Sequence, residues 1–451
     1  MQSRIIRGKL FSNHDLFKLF LPLVIEQFLE YLVGLADSIM VASVGEAAVS
    51  GVSLVDFVMA LLISLFAAIA TGGSVVCGQY LGKNKEKEAK EGANQLVWFS
   101  GIVALVIMIL IYLLKNTILH GLFGTITEEV YSHANIYMVI VALSIPFLAV
   151  YNAGAAIFRT MGNSKLPMKI MFFMNILNVA GNAILVFGLK MGTAGIAIPT
   201  LVSRIGAALI ILILALNKKN TLSLKKSLKY RFNKDMIKRI LGIGVPYGLE
   251  NGMFHFGRLL ILSLVSRFGT AAIAANSVGG TIVMFEVLPG MSIGFGLTVV
   301  ISRCIGASDY EQAKYYTNKI MKIIYVAQVV SSAIVILLLP IILNVYNLSP
   351  EATFWTKIIV WSHAIMMMLI WPLGYTLPVT FRSAGDAKFP MMVSMISMIF
   401  CRIALAYVFS LLLGWGMFGT WMAMFFDWIV KSIIFTIRYI KGTWTKYHVI
   451  A

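Results

Sequence analysis

What this chain lacks narrows its class before any motif is read. Only 12% of its 451 residues are charged, about half the share in a typical soluble domain. Its three cysteines, Cys77, Cys304 and Cys401, show no CxxC or paired spacing, which argues against a disulfide framework or a thiolate metal site. No Walker A segment, nucleophile elbow or HExxH occurs, and the six histidines form no i,i+4 pair. An enzyme, a sensor with catalytic output and an ATP-driven pump are therefore unsupported, and no cofactor is implied. Acid is scarcer than base, 19 Asp and Glu against 37 Lys and Arg.

Apolar residues are abundant instead, at 59% with a mean hydropathy of +0.87. They fall in runs of about 20 or more, the length needed to cross roughly 30 Å of hydrocarbon. The runs are continuously apolar rather than alternating every second residue, which excludes a β-barrel. Twelve helical spans are expected, near 16–40, 48–76, 93–114, 131–157, 168–189, 194–216, 237–264, 272–300, 320–345, 353–380, 391–412 and 417–440. The first run begins after Lys18 and lacks a clear small-residue cleavage site, so it is expected to remain as a span.

The net charge of +18 invites a nucleic-acid reading, but the placement of charge argues against one. Lys115, Lys190, Arg267 and Lys357 fall in loops opposite the N-terminus, and Arg204, Arg258, Arg402 and Lys431 inside spans; the other 29 of the 37 lie on the N-terminal side. The excess of positive charge in cytoplasmic loops then puts both termini in the cytoplasm of a multi-pass cell-membrane protein. Anionic lipid headgroups are a secondary attraction for that charge.

The chain is also duplicated. At a shift of 224, Pro22, Glu26, Gly45, Ser53, Gly72 and Gly82 fall on Pro246, Glu250, Gly269, Ser277, Gly296 and Gly306. At 223, Phe158-Arg159-x-x-Gly162-x-x-Lys165-x-Pro167 falls on Phe381-Arg382-x-x-Gly385-x-x-Lys388-x-Pro390. Both motifs read as tight turns, since Gly permits left-handed backbone and Pro opens the next helix; a gate clasp is the sharper alternative. Two six-span bundles are expected, 1–217 and 237–451, joined by a basic linker at 218–236. Six spans is an even number, so the halves are parallel repeats about an axis along the membrane normal, as in many secondary transporters.

Ionisable groups inside a bilayer cost several kcal/mol unless they face protein, water or a partner, so each marks a candidate site. Seven acids fall within spans: Glu26, Glu30, Asp37, Asp56, Glu250, Glu286 and Asp427. At about 100° per residue Glu26, Glu30 and Asp37 form one stripe on the first span. Glu26, Glu30 and Glu250 are candidates for attracting substrate or relaying protons, with pairing to buried arginine as the plainer alternative. Arg258 is the expected partner of Glu250 or Glu286. Asn175, Asn178 and Asn182 make a second stripe on the fifth span. Amides there serve either as hard-cation ligands or as bonds between helices. Thr200 on the sixth span adds a hydroxyl. The second half lacks this set: Asp37 maps onto Ile261. Methionines 366–368, 391, 392, 395 and 398 suit either a promiscuous apolar pocket or ordinary packing.

These segments together resemble the MATE (multidrug and toxic compound extrusion) family over nearly the whole chain. The carriers are PLVIEQFLEYLVGLADSIMVA, QYLGKNKEKEAK, RTMGNSKLP with its second copy, and NVAGNAILVFG followed by GTAGIAIPT. The resemblance implies an all-α membrane protein of two six-helix bundles around a V-shaped cavity. It implies an antiporter that exports organic cations, drugs or amphipathic metabolites by alternating access, coupled to Na⁺ or H⁺. The family's cation site matches Asp37, Asn178, Asn182 and Thr200, with Asn182 in place of a frequent Asp; Asp37, Asn178 and Asn182 would be metal ligands if the ion is Na⁺. The family branch that uses acids in spans seven and ten is matched only loosely, by Glu250. The expected partners are a small cationic or amphipathic substrate and the bilayer, with no nucleic acid, and the protein is expected to act as a monomer. A flippase for a lipid-linked precursor, from the wider superfamily, is the alternative.

Overall fold

A computed structural model describes residues 9–123, 127–226 and 230–450. Helices account for each of the twelve expected spans. In the first repeat they are α1 (Asn13–Ala42), α2 (Glu46–Gly82), α3 (Glu86–Phe123), α4 (Glu128–Ala142 with Ile145–Thr160), α5 (Lys165–Gly188) and α6 (Ala194–Ala215). In the second they are α7 (Lys234–Val265), α8 (Thr270–Gly306), α9 (Tyr310–Tyr346), α10 (350–384), α11 (Lys388–Leu412) and α12 (Gly416–Lys441). Ten of them are long and apolar enough to cross a membrane, and counting the bent α4 as one span makes eleven. The twelfth, α7, carries Lys238, Arg239, Glu250, His255 and Arg258 along its length.

Many helices outrun their apolar runs. The 37-residue α2, α8 and α9 would be about 55 Å long at 1.5 Å per residue, so they extend beyond the hydrocarbon. Local sequence sets their ends. Asp309 Oδ1 accepts from the Gln312 amide at 2.9 Å to open α9. Ser349 Oγ accepts from Ala352 N at 3.2 Å, with Pro350 at the first helical position of α10, where its missing N–H costs nothing. The 48° bend in α4 falls just before Pro146.

The duplication extends to backbone conformation. Gly162 (φ +87°) and Gly385 (φ +114°) both end their helices in the left-handed region. The residue after each, Asn163 or Asp386, donates its N–H at 2.9 Å to the carbonyl of Phe158 or Phe381. The RxxGxxKxP turns are thus the same turn built twice, and Gly supplies the left-handed step without a Cβ penalty.

Two compact units emerge, Asn13–Gly248 and a second made of Leu249 onward plus the chain up to Ser12. Their limits differ from the expected ones at 217 and 237. In the first unit α1 packs along α5, α5 on α6, and α2 on α3 and both segments of α4. The basic linker belongs to this unit rather than standing between two (residues 227–229 of it lie outside the described residues). The opening of α7 joins it because small residues let backbones touch: a Cβ on Gly72 would lie 2.3 Å from the Ile240 carbonyl oxygen. In the second unit α8 packs against α9 and α10 and is its central helix, with 72% of its most apolar window buried.

Candidate functional site

The expected cation ligands converge inside the first unit. Asn182 is fully buried on α5, and its Nδ2 donates to Asp37 Oδ1 on α1 at 2.6 Å and to Asn178 Oδ1, one turn away, at 3.3 Å. Asn178 Nδ2 reaches Thr200 Oγ1 on α6 at 3.1 Å. With its amide turned about, Asn178 donates instead to Asp37 at 3.1 Å and accepts from the Thr200 hydroxyl and backbone N–H. Asn182 Oδ1 is buried and has no hydrogen-bond partner. A buried amide oxygen left unpaired is costly, and the carboxylate, two amides and hydroxyl gathered here from three helices offer the kind of oxygen donors that suit a hard cation.

The helices permit this convergence through one small residue and one wide turn. A Cβ on Gly181 would stand 2.9 Å from Pro199, so glycine there lets α6 approach α5 beside Asn182 and Thr200. Just past Asn182, the last turn of α5 (Ile184–Gly188) widens into a π-helix, a distortion often found at functional sites. Asp56 on α2 accepts from the Tyr137 hydroxyl at 3.1 Å. Arg204 on α6 donates to Ser144 Oγ at 2.8 Å, close enough to act electrostatically on Asp37, Asp56 and Glu30. Asn175 sits on the same stripe as Asn178 and Asn182, with its Nδ2 buried and unpaired.

The other candidates are placed differently. Glu26 is buried, and Arg159 Nη2 contacts its Oε1 at 2.5 Å. Glu250 is held by Arg382 Nη1 at 2.9 Å and by Ser394 Oγ at 2.8 Å. These pairs realise the plainer alternative for both acids, and each arginine comes from the duplicated RxxGxxKxP turn. Glu30 is solvent-accessible, accepting from Gln27 at 3.0 Å. The two acids considered as partners of Arg258 each carry another one. Arg382 pairs with Glu250, and His363 Nδ1 lies 2.5 Å from Glu286 Oε2. Arg382 and His363 aim at these acids from neighbouring helices, which spacing along the chain does not reveal.

Sequence reasoning also missed Tyr137, Ser394, His363 and the buried Lys431–Asp427 pair of α12, 3.0 Å apart. For the Glu–Arg pairs a signal existed, because both partners recur at nearly the same shift, 224 for Glu and 223 for Arg. Met366 lines an apolar hollow of about 360 Å³ with Ile365, Phe409, Trp415, Met422 and Phe425, while Met367 and Met398 are core. Among the described residues no three His, Cys, Asp or Glu side chains cluster as a metal site.

The MatE family model matches this chain twice, over residues 22–184 and 246–408. An uncharacterised transporter, YisQ of Bacillus subtilis, is 29% identical over 448 residues, covering 96% of each chain. The probable multidrug resistance protein NorM of Thermotoga maritima is 24% identical, covering 96% of this chain and 93% of its own. The multidrug export protein MepA of Staphylococcus aureus is 25% identical over 62% of each. Among solved structures, a MATE protein in its straight conformation superposes with a TM-score of 0.90 at 20% identity over 98% of each chain. A MOP-superfamily transporter from Pyrococcus furiosus gives 0.87 over 98% of this chain and 97% of its own. The two matched segments together span well over half of the sequence and take in both copies of the repeat, so the chain belongs to the MATE family of multi-pass membrane transporters and is not an enzyme.

Proposed function

We propose that this protein exports organic cations or amphipathic drugs from the cell in exchange for Na⁺ or H⁺ entering at Asp37. Support comes from the unpaired Asn182 Oδ1, buried beside the Asp37 carboxylate, Asn178 and Thr200. The relatives' multidrug names agree in substrate class.

The hydrogen bonds give the ion something to change. The Asn182 amide lends its N–H to Asp37, tying α1 to α5. A proton on Asp37 removes the acceptor charge that makes this bond strong. Sodium demands more: Asn182 must turn its oxygen inward and give up the bond altogether. Either way the α1–α5 tie differs between ion-free and ion-bound forms, and that difference is what lets an ion shift a conformational equilibrium. Each 1.4 kcal/mol of it shifts the balance of states about tenfold. Substrate would enter with the site facing the cytoplasm, where both termini lie, and leave after the ion binds from outside. The protein acts as a monomer in the plasma membrane.

Purified protein in liposomes, loaded with ethidium and given Na⁺ and proton gradients separately, tests this. At least one gradient should drive efflux, and Asp37→Asn should abolish the response while leaving insertion intact. Full gradient-driven efflux in Asp37→Asn would falsify the assignment. Scrambling of lipid-linked precursors without ethidium transport would favour the flippase reading. That reading is second because the acids Glu26, Glu30, Asp37 and Asp56 outnumber Arg159 and Arg204 in the first unit.

A further inference from the structure

The short segments leading into α1 and α7, the first helix of each repeat, are held in an unexpected way. Ahead of α1, Tyr316 on α9 uses its hydroxyl twice, accepting from Phe11 N at 2.9 Å and donating to Phe11 O at 2.8 Å. Leu10 N donates to Gln312 Oε1 at 3.0 Å, and Asp309 orients that amide by accepting from its Nε2 at 2.9 Å. The Phe11 ring meets Tyr316 edge-on at 5.8 Å and lies under Arg303 at 5.7 Å. Phe11, Gln312 and Tyr316 are all buried.

Ahead of α7, one buried glutamine on α3 does the same work. Gln95 Nε2 donates to the Arg231 carbonyl at 2.6 Å, and Gln95 Oε1 accepts from Tyr230 Oη at 2.8 Å and Asn233 N at 3.2 Å. Trp98 stacks on Tyr230 at 5.6 Å. Asn233 then caps α7 by accepting from Met236 N at 3.1 Å.

The arrangement is reciprocal. Under the 224-residue shift, α3 and α9 are equivalent helices, and each grips the lead-in segment of the other repeat. The compact units follow suit, the chain changing unit between Ser12 and Asn13 and again between Gly248 and Leu249. Yet the gripping residues are not copies: Gln312 falls on Glu88, and Gln95 on Lys319. The same attachment is built twice from different side chains. Simple inheritance of packing from an ancestral repeat does not explain this, whereas a requirement for the attachment does.

We propose that Gln312 and Tyr316, together with Gln95, are positioning residues of the transport cycle. They anchor the first helix of each repeat to the third helix of the other. The lead-in of α1 thereby stays with the second unit, while Asp37, 25 residues beyond Ser12 and about 37 Å along the helix, lies in the first. Ion binding at Asp37 acts on a helix fixed at its start, with Pro22 between as the natural point of flexure. This rests on Asp37 being the coupling site.

The test uses Tyr316→Phe combined with Gln312→Leu, which removes the polar grip and keeps the aromatic contact with Phe11. Gradient-driven ethidium efflux should fall about tenfold, the middle of the usual range for coupling between sites, while Na⁺ or proton binding to detergent-purified protein stays within about twofold of wild type. In a Ser38→Cys background without the native cysteines, ethidium should no longer change the rate of thiol labelling. That arm needs no ion gradient, so it still tests the grip if neither gradient drives the wild type. Unchanged coupled efflux in the double variant would overturn the proposal. A second variant, Phe11→Cys with Tyr316→Cys joined by a short bifunctional thiol reagent, should regain efflux above its uncrosslinked level. Loss of efflux on cross-linking would mean that the segment must detach, and the anchor reading falls.

Discussion

Replacing Arg159 by methionine should cost more than the same change at Arg382, although the two arginines are copies of one motif. Arg159 contacts Glu26, which is 1% exposed and whose Oε2 has no partner. Removing one member of a buried pair typically costs about 3–5 kcal/mol, because the remaining charge is left uncompensated. Glu250 is 18% exposed and keeps Ser394 at 2.8 Å when Arg382 is lost. A hydrogen bond to a charged group contributes about 1.5–3 kcal/mol, so Arg382→Met should cost only about 0–3.5 kcal/mol by subtraction. Adding Glu26→Gln to Arg159→Met should recover most of the loss, since no buried charge then remains. Thermal unfolding of the three variants and wild type in one detergent gives the ranking. Equal costs for the two arginine variants, or no rescue by Glu26→Gln, would refute the reasoning, since either result means that burial and residual partners do not set the cost.

Three other outcomes follow from the geometry. Gly72→Ala should lower thermal stability by about 1–3 kcal/mol through overpacking, because its Cβ would meet the Ile240 carbonyl; Gly242→Ala, with open space around it, is the control and should be close to neutral in the same melt. Asn182→Asp adds a negative charge where Asn182 Nδ2 now donates to Asp37, and should lower the Na⁺ concentration for half-maximal efflux about tenfold or more if sodium is the driving ion. Lys431→Met strands the fully buried Asp427, leaving it only the Ser397 hydroxyl; its melting temperature should drop, and Asp427→Asn in addition should restore it.

Much of the fold was legible because the bilayer permits few solutions. A continuous apolar run must be a helix when every backbone group needs an internal partner, and the 224-residue repeat in Pro22, Gly45 and Gly72 reported the duplication. The polar cluster of Asp37, Asn178 and Asn182 was legible because these residues keep helical spacing along two stripes. What stayed hidden depends on contacts between distant segments. Arg159 lies 133 residues from Glu26, and only the recurrence of both partners in the second repeat hints at their contact. The limits of the compact units escaped for a similar reason. Hydrophilicity marked 218–236 as a linker, but polar residues such as Gln95 bind its backbone and Gly72 admits α7, so a segment that reads as a tether is structural.

The bend in α4 and the wide turn in α5 concern local shape, but the grip on Phe11 has a consequence in time. Its partner Tyr316 is 305 residues downstream, so at about 5–20 residues per second the ribosome makes it roughly 15–60 s later. The segment before α7 meets Gln95 as soon as it is made, because Gln95 precedes it by 138 residues. Through that interval the nascent first bundle holds its Asp37, Asn178, Asn182 and Thr200 cluster complete while its leading strap waits for a helix not yet synthesised. A chaperone or membrane insertase that shields residues 9–12 during that window would govern the yield of folded protein, and a truncated chain ending before α9 would expose Phe11 permanently.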